Sequence, residues 1–265
     1  TQPYMKSISL LKNSEQFNYN MRVILSFFLY FIFSYFILFY AYIDTYNYSP
    51  MTLFLTAVCT KRKEDIMKPN ITLRFATPND AEEIRSIYAP YVTDTAVTSE
   101  YEIPTIEEFQ NRIYNTLKKY PYLIALKDNE LIGYMYTSPV NIRAAYNWAA
   151  ETSIYIRQHC RRTGAGSKLY KALFHISKKQ HIVNLYARIA YADPEDEYLV
   201  NHSARFHHTI GFEQVARFHK VFHKFGRWYD ALWVEKILGD HSEGVMSDVI
   251  PFPELHITEE EINSL

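Results

Sequence analysis

Arg161-Arg162-Thr163-Gly164-Ala165-Gly166 sets two arginines and two glycines at the junction between an alternating apolar segment and an amphipathic one. Glycines at such a junction let the backbone approach a ligand closely. Where the junction opens a helix, the unpaired first-turn amides and the helix dipole favour an anion, which is chemistry suited to a pyrophosphate. A plain strand-to-helix turn uses glycine too, and the run is neither a Walker loop nor a complete GxGxxG. A second concentration of reactive side chains follows at His202, His207, His208, His219 and His223. Their spacing matches no zinc pattern and lacks cysteine partners, so no metal is expected. Cys59 and Cys160, far apart, form neither a disulfide framework nor a CxxC pair.

The elements that must position the glycine loop are legible from periodicity and caps. ITLRFA (71–76) reads as a strand, and Thr77-Pro78-Asn79-Asp80 starts a helix with a cap, an early proline and an acidic first turn. Thr105 and Glu108 form a capping box for a helix to about Lys118. YLIALKDNELIGYMY gives two strands joined at Asp128-Asn129, and AAETSIYI (149–156) alternates as a strand ahead of the glycines. SKLYKALFHISKK is an amphipathic helix and NLYARIAY a strand; a helix is expected over Glu197–Thr209, before strands FEQVARFH and WYDALWVEKI. The order predicts an α/β (α+β) fold, a mixed and mostly antiparallel sheet of six to seven strands flanked by about four helices.

Arg161-x-x-Gly164-x-Gly166, met in this element order, resembles the acetyl-CoA signature of the GNAT acetyltransferase superfamily. Within it, IYAPYV (ending at Val92), RAAYNWAAETSIYI (143–156), SARFHHTIGF (203–212) and KFGRWYDALWVEK (224–236) resemble the phosphinothricin N-acetyltransferase family. The resemblance spans residues 70–237 and implies transfer of acetyl from acetyl-CoA to the primary amine of a small amino-acid-like substrate, of the phosphinothricin or methionine sulfone/sulfoximine type. It implies direct attack in a ternary complex, without a covalent intermediate, in an enzyme that is often a homodimer. Glu151 falls where the family places its general base, and His207 where it places a group that protonates or hydrogen-bonds the departing thiolate. The strand at 149–156 would splay from that at 184–191, with pantetheine in the gap. Cofactor contacts then fall on Ile154, Tyr155, Ile156, Arg161, Arg162, Thr163, Gly164, Ala165, Gly166 and Ser167. Arg143 and Tyr146 match the RxAYxW stretch that borders the acceptor pocket, Arg143 to hold a carboxylate or phosphinate. Where the family often has Asn, this chain has Val200, with Asn201 one place along as the candidate cofactor contact, and the loop ADPEDEYLV is longer than the family's. An acetyltransferase for another amine, such as an antibiotic, and a non-catalytic acyl-CoA-binding module are the rival readings.

The chain's two ends differ from this middle (67–239). Residues 23–43 carry no charge over 21 positions, enough to cross a bilayer as a helix. Residues 1–66 thus read either as an extension anchoring a cytoplasmic catalytic domain or as upstream sequence foreign to the natural protein. Residues 240–265 hold seven acidic residues and no Lys or Arg, and are expected to form a solvated tail with a short helix near Thr258–Ser264. A net charge of −1 argues against nucleic acid as a partner.

Overall fold

Alternating side chains distribute the apolar residues of the central strands onto two faces, and both faces are covered. The computed structural model describes residues 70–241 and 243–265. The candidate span 23–43 lies outside them, and no helix among the described residues is long and apolar enough to cross a membrane. Strands β1 (Ile71–Phe75), β2 (Tyr122–Lys127), β3 (Glu130–Pro139), β4 (Ala149–Ile156), β5 (Asn184–Tyr191), β6 (Glu213–Lys224) and β7 (Arg227–Ile237) form one sheet in the order β1-β2-β3-β4-β5-β7-β6. Only β4 and β5 pair in parallel; every other pairing is antiparallel. Asp128 and Asn129 close the β2–β3 hairpin at φ 50° and 66°, the left-handed turn that Asn and Asp tolerate best among non-glycine residues.

Helices α1 (Ala81–Thr93) and α2 (Ile106–Leu117) cover one face. Ile84, Ile87, Tyr88 and Tyr91 recur at helical spacing on α1 and pack with Phe109 and Ile113 of α2 against Tyr122, Ile124 and Tyr134. Thr105 caps α2 by accepting from the Glu108 amide at 3.1 Å, as its capping box predicts. Helix α3 (Ala165–Lys179) covers the other face, where Leu169, Ala172, Leu173 and Ile176 meet Leu123, Met135, Ala150, Leu185 and Leu232.

Two expectations change. Helix α4 covers only His202–Thr209, and residues 192–201 ahead of it form a loop. Local side chains outcompete the helix there: Asp196 Oδ1 accepts from the amides of Tyr198 and Leu199 at 2.9 and 2.8 Å, and Glu195 accepts from that of Asn201. The C-terminal segment is not a solvated tail. Phe252 packs edge-on against Phe75 with centroids 5.0 Å apart, and Ile262, on the predicted short helix α5 (Glu259–Ser264), is buried in the core. Asn263 accepts from the Leu73 amide at 2.8 Å and donates to its carbonyl at 2.7 Å, and Glu259 accepts from the Phe75 amide. These contacts satisfy the outer edge of β1, an end strand whose backbone groups would otherwise be open. Acidic composition concealed this docking, because Glu261 pairs with His175 and Lys179 of α3 instead of facing water alone.

Candidate active site

Strands β4 and β5 pair only at Ala149–Asn184, Ala150–Leu185 and Glu151–Tyr186. Beyond Glu151 they part, as the resemblance implied. The Arg157 amide donates to Ile132 of β3 at 2.7 Å, so in the alternating ladder the residues pointing at β3 are Ser153 and Tyr155. The polar groups of Thr152, Ile154 and Ile156 therefore point into the gap, where Tyr91 already donates to the Ile156 carbonyl. A cleft of about 980 Å³ follows the gap from Thr152–Ile156 and Ala187–Ala190 to the glycine loop.

At the loop, Gly164 takes φ 92° and opens α3, with empty space where a Cβ would lie. Lys168 makes the first intrahelical bond, to Gly164, which leaves the amides of Ala165, Gly166 and Ser167 without helical acceptors. A Cβ on Gly166 would sit 3.1 Å from Phe206 of α4, so glycine here lets two helices meet beside the cleft. Arg161 and Arg162 line the same end, Arg161 over the Tyr91 ring. Cationic side chains, free amides and a helix dipole together fit a pyrophosphate, and the unpaired β4 edge fits an amide-bearing pantetheine arm. Thr163 instead shapes the loop, donating to the Cys160 carbonyl at 2.8 Å. Cys160 faces the cleft but is buried, and burial pushes its thiol pKa up, so it stays protonated and weakly nucleophilic.

Glu151 stands where the strands separate. Its side chain is 12% exposed, and Oε1 accepts from Arg188 Nε at 2.7 Å. Oε2 has no hydrogen bond among the described residues, and Arg188 lines the cleft. His207 is also in the cleft wall, but both ring nitrogens are engaged. Nδ1 is 2.8 Å from the Ser203 carbonyl, which can only accept, so Nδ1 carries the proton. Nε2, 2.6 Å from Tyr170 Oη, must then accept, and Tyr170 accepts in turn from Thr152 Oγ1 at 3.0 Å. Burial lowers the His207 pKa to about 4. The imidazole is thus neutral at physiological pH and presents no proton to the cleft.

Asn201 is not in the cleft. Its amide accepts from Ala192 N at 3.0 Å and donates to Ala192 O at 2.8 Å, fastening the long loop to the end of β5. The loop itself, through Tyr198, Leu199 and Val200, supplies the far wall. Arg143 and Tyr146 lie exposed on the β3–β4 connection, away from the cleft of their own chain. Sequence reasoning missed Arg188, Thr152 and Tyr170. For Arg188 a signal was present, since it alternates on β5 with the partner of Glu151.

A parallel pair that splits beside a glycine-opened helix offers an open strand edge and an anion site, the two features an acyl-CoA-dependent transferase requires. The description "Acetyltransferase (GNAT) domain" matches residues 73–233, more than half of the chain. A phosphinothricin N-acetyltransferase of Streptomyces coelicolor is 30% identical over 172 residues, 63% of this chain and 96% of that protein. The L-methionine sulfoximine/L-methionine sulfone acetyltransferase of Salmonella typhimurium is 25% identical over 175 residues, 65% of this chain and 97% of that protein. Among solved structures, a GNAT superfamily phosphinothricin acetyltransferase from Sinorhizobium meliloti in complex with AcCoA superposes with a TM-score of 0.62 at 28% identity, over 69% of this chain and 96% of that one. The chain belongs to the GNAT acetyltransferase family, and it is an acetyl-CoA-dependent N-acetyltransferase related to these enzymes.

Proposed function

We propose that the acceptor is the primary amine of a small amino-acid-like molecule, attacked directly in a ternary complex with acetyl-CoA. The observation that carries this reading is Glu151, a carboxylate anchored through one oxygen by Arg188 at the point where β4 and β5 part, with the other oxygen unbonded among the described residues. An ammonium must lose a proton before its nitrogen can attack a thioester, and in this reading the second carboxylate oxygen of Glu151 takes it, directly or through water. The nitrogen then bonds to the acetyl carbon, the carbon–sulfur bond breaks, and the second proton shed by the nitrogen passes, directly or through water, to the departing thiolate. Cys160, protonated and buried, is a poor alternative nucleophile, which favours direct attack over an acyl-enzyme.

His207 acts in this reading by holding Tyr170 and, through it, Thr152 at the gap, not by donating its own proton. A screen of amino acids, methionine sulfone, methionine sulfoximine and phosphinothricin with acetyl-CoA and a thiol-detecting reagent tests the acceptor class. Thiol release with one or more of these supports it. Release only with bulky aminoglycoside-type amines would overturn it.

A further inference from the structure

Among the described residues, Arg188 is the arginine of the cleft that stands beside Glu151; Arg161 and Arg162 belong to the glycine loop at the cleft's other end. Strand pairing puts it there. Glu151 lies opposite Tyr186 in the parallel ladder, and one alternation further along β5 Arg188 returns to the same face of the sheet. The guanidinium is held from two sides: Nε donates to Glu151 Oε1 at 2.7 Å, and the group lies 5.9 Å from the ring centre of Trp233, its registered partner on β7. Nη1 and Nη2 have no hydrogen-bond partner among the described residues, and the side chain is 61% exposed. Neighbouring carboxylates do not occupy this fork. Glu197 binds both terminal nitrogens of Arg227, at 2.9 and 2.8 Å, Glu235 sits by the Tyr186 hydroxyl, and Asp94, in the cleft wall at the end of α1, forms no ion pair with Arg188.

An open pair of guanidinium nitrogens matches a carboxylate in a two-pronged contact. The carboxyl of Glu151 beside it matches an ammonium. In an α-amino acid a single carbon separates those two groups, so a carboxylate seated on the Nη fork sets the α-nitrogen next to Glu151, where the strands part and the gap for the pantetheine arm begins. An amine at the far end of a long side chain would be carried away from it. We propose that Arg188 binds the acceptor's α-carboxylate and so selects free α-amino acids, acetylated on the α-nitrogen, over their amides. The inference rests on the transfer reading above and names the group that its acceptor must carry.

The test measures kcat and KM for L-methionine sulfone, L-phenylalanine and L-glutamine, and for the α-carboxamide of each, with the wild type, Arg188→Gln and Arg188→Lys. The amides keep the amine and the side chain and lose only the carboxylate. Wild-type kcat/KM should favour acid over amide by about tenfold to a hundredfold, the range for hydrogen bonds to charged groups. Arg188→Gln keeps an N–H donor but has neither fork nor charge, and should bring the acid-to-amide ratio close to one, with the loss mainly in KM for the acid. Any disturbance of Glu151 slows acid and amide alike and cancels in that ratio. Arg188→Lys, with the charge but not the fork, should recover part of it. A wild type that takes the amides as well as the acids, or a ratio that persists in Arg188→Gln, would overturn the assignment and leave amine acetylation standing. Acetylation of neither acids nor amides would instead remove the transfer reading. Calorimetric titration of the acetyl-CoA-loaded protein with the same compounds then decides Arg188 alone: acid binding that Arg188→Gln weakens by about tenfold or more supports it, and no acid binding, or equal binding of acid and amide, refutes it.

Discussion

Replacing His207 with Gln removes a titratable ring while keeping an oxygen that can accept from Tyr170. An unfolded imidazole titrates at its ordinary value of 6.5, whereas burial holds the folded His207 near 4. Between those values the unfolded chain binds a proton that the folded chain refuses. The contribution of His207 is therefore fully present above pH 6.5 and is lost as pH falls through about 4. Each pKa unit corresponds to about 1.4 kcal/mol, so the wild type should lose roughly 3 kcal/mol across this window from His207 alone. Urea unfolding followed by tryptophan fluorescence at stepped pH measures the loss, and His207→Gln should show a shallower acid slope by that amount. Identical slopes in the two proteins would refute the neutral, doubly bonded imidazole and reopen His207 as a proton donor.

Gly166→Trp should weaken acetyl-CoA binding by about a hundredfold or more in calorimetry, because its Cβ starts 3.1 Å from Phe206 and the ring must displace α4 or enter the cleft; unchanged affinity would detach the glycine loop from the cofactor. Ile262→Ala should cost about 2–5 kcal/mol of unfolding free energy, the usual range for a fully buried isoleucine, with faster protease cleavage near residue 245; an effect under about 0.5 kcal/mol would mean that the C-terminal segment is not docked in solution.

Elements whose signals are local could be read directly from the chain. Thr105 with Glu108, Asp128-Asn129 and the 161–166 loop each carry their cap, turn or helix start within a few residues, and the structure places them accordingly. The parting of β4 from β5 has no local signal in either strand, and its expectation came through the family resemblance. Non-local bonding was invisible. Asn201 looked available for a cofactor until Ala192, at the other end of the same loop, took both its donor and its acceptor. His207 looked like an acid until Tyr170, from another helix, fixed which nitrogen is protonated. The acidic C-terminal segment read as solvated because its partners on β1 and α3 lie far away in sequence.

The most direct test of acetyl transfer with Glu151 as base is the pH–rate profile of Glu151→Gln. Gln retains the size of Glu and an oxygen for Arg188 but cannot take a proton. The account predicts that kcat at neutral pH falls by roughly 10²- to 10⁴-fold, that acetyl-CoA affinity barely changes, and that much of the rate returns as pH approaches the pKa of the acceptor amine, where free amine becomes abundant. A variant that keeps near wild-type kcat at neutral pH would contradict it and place the base elsewhere.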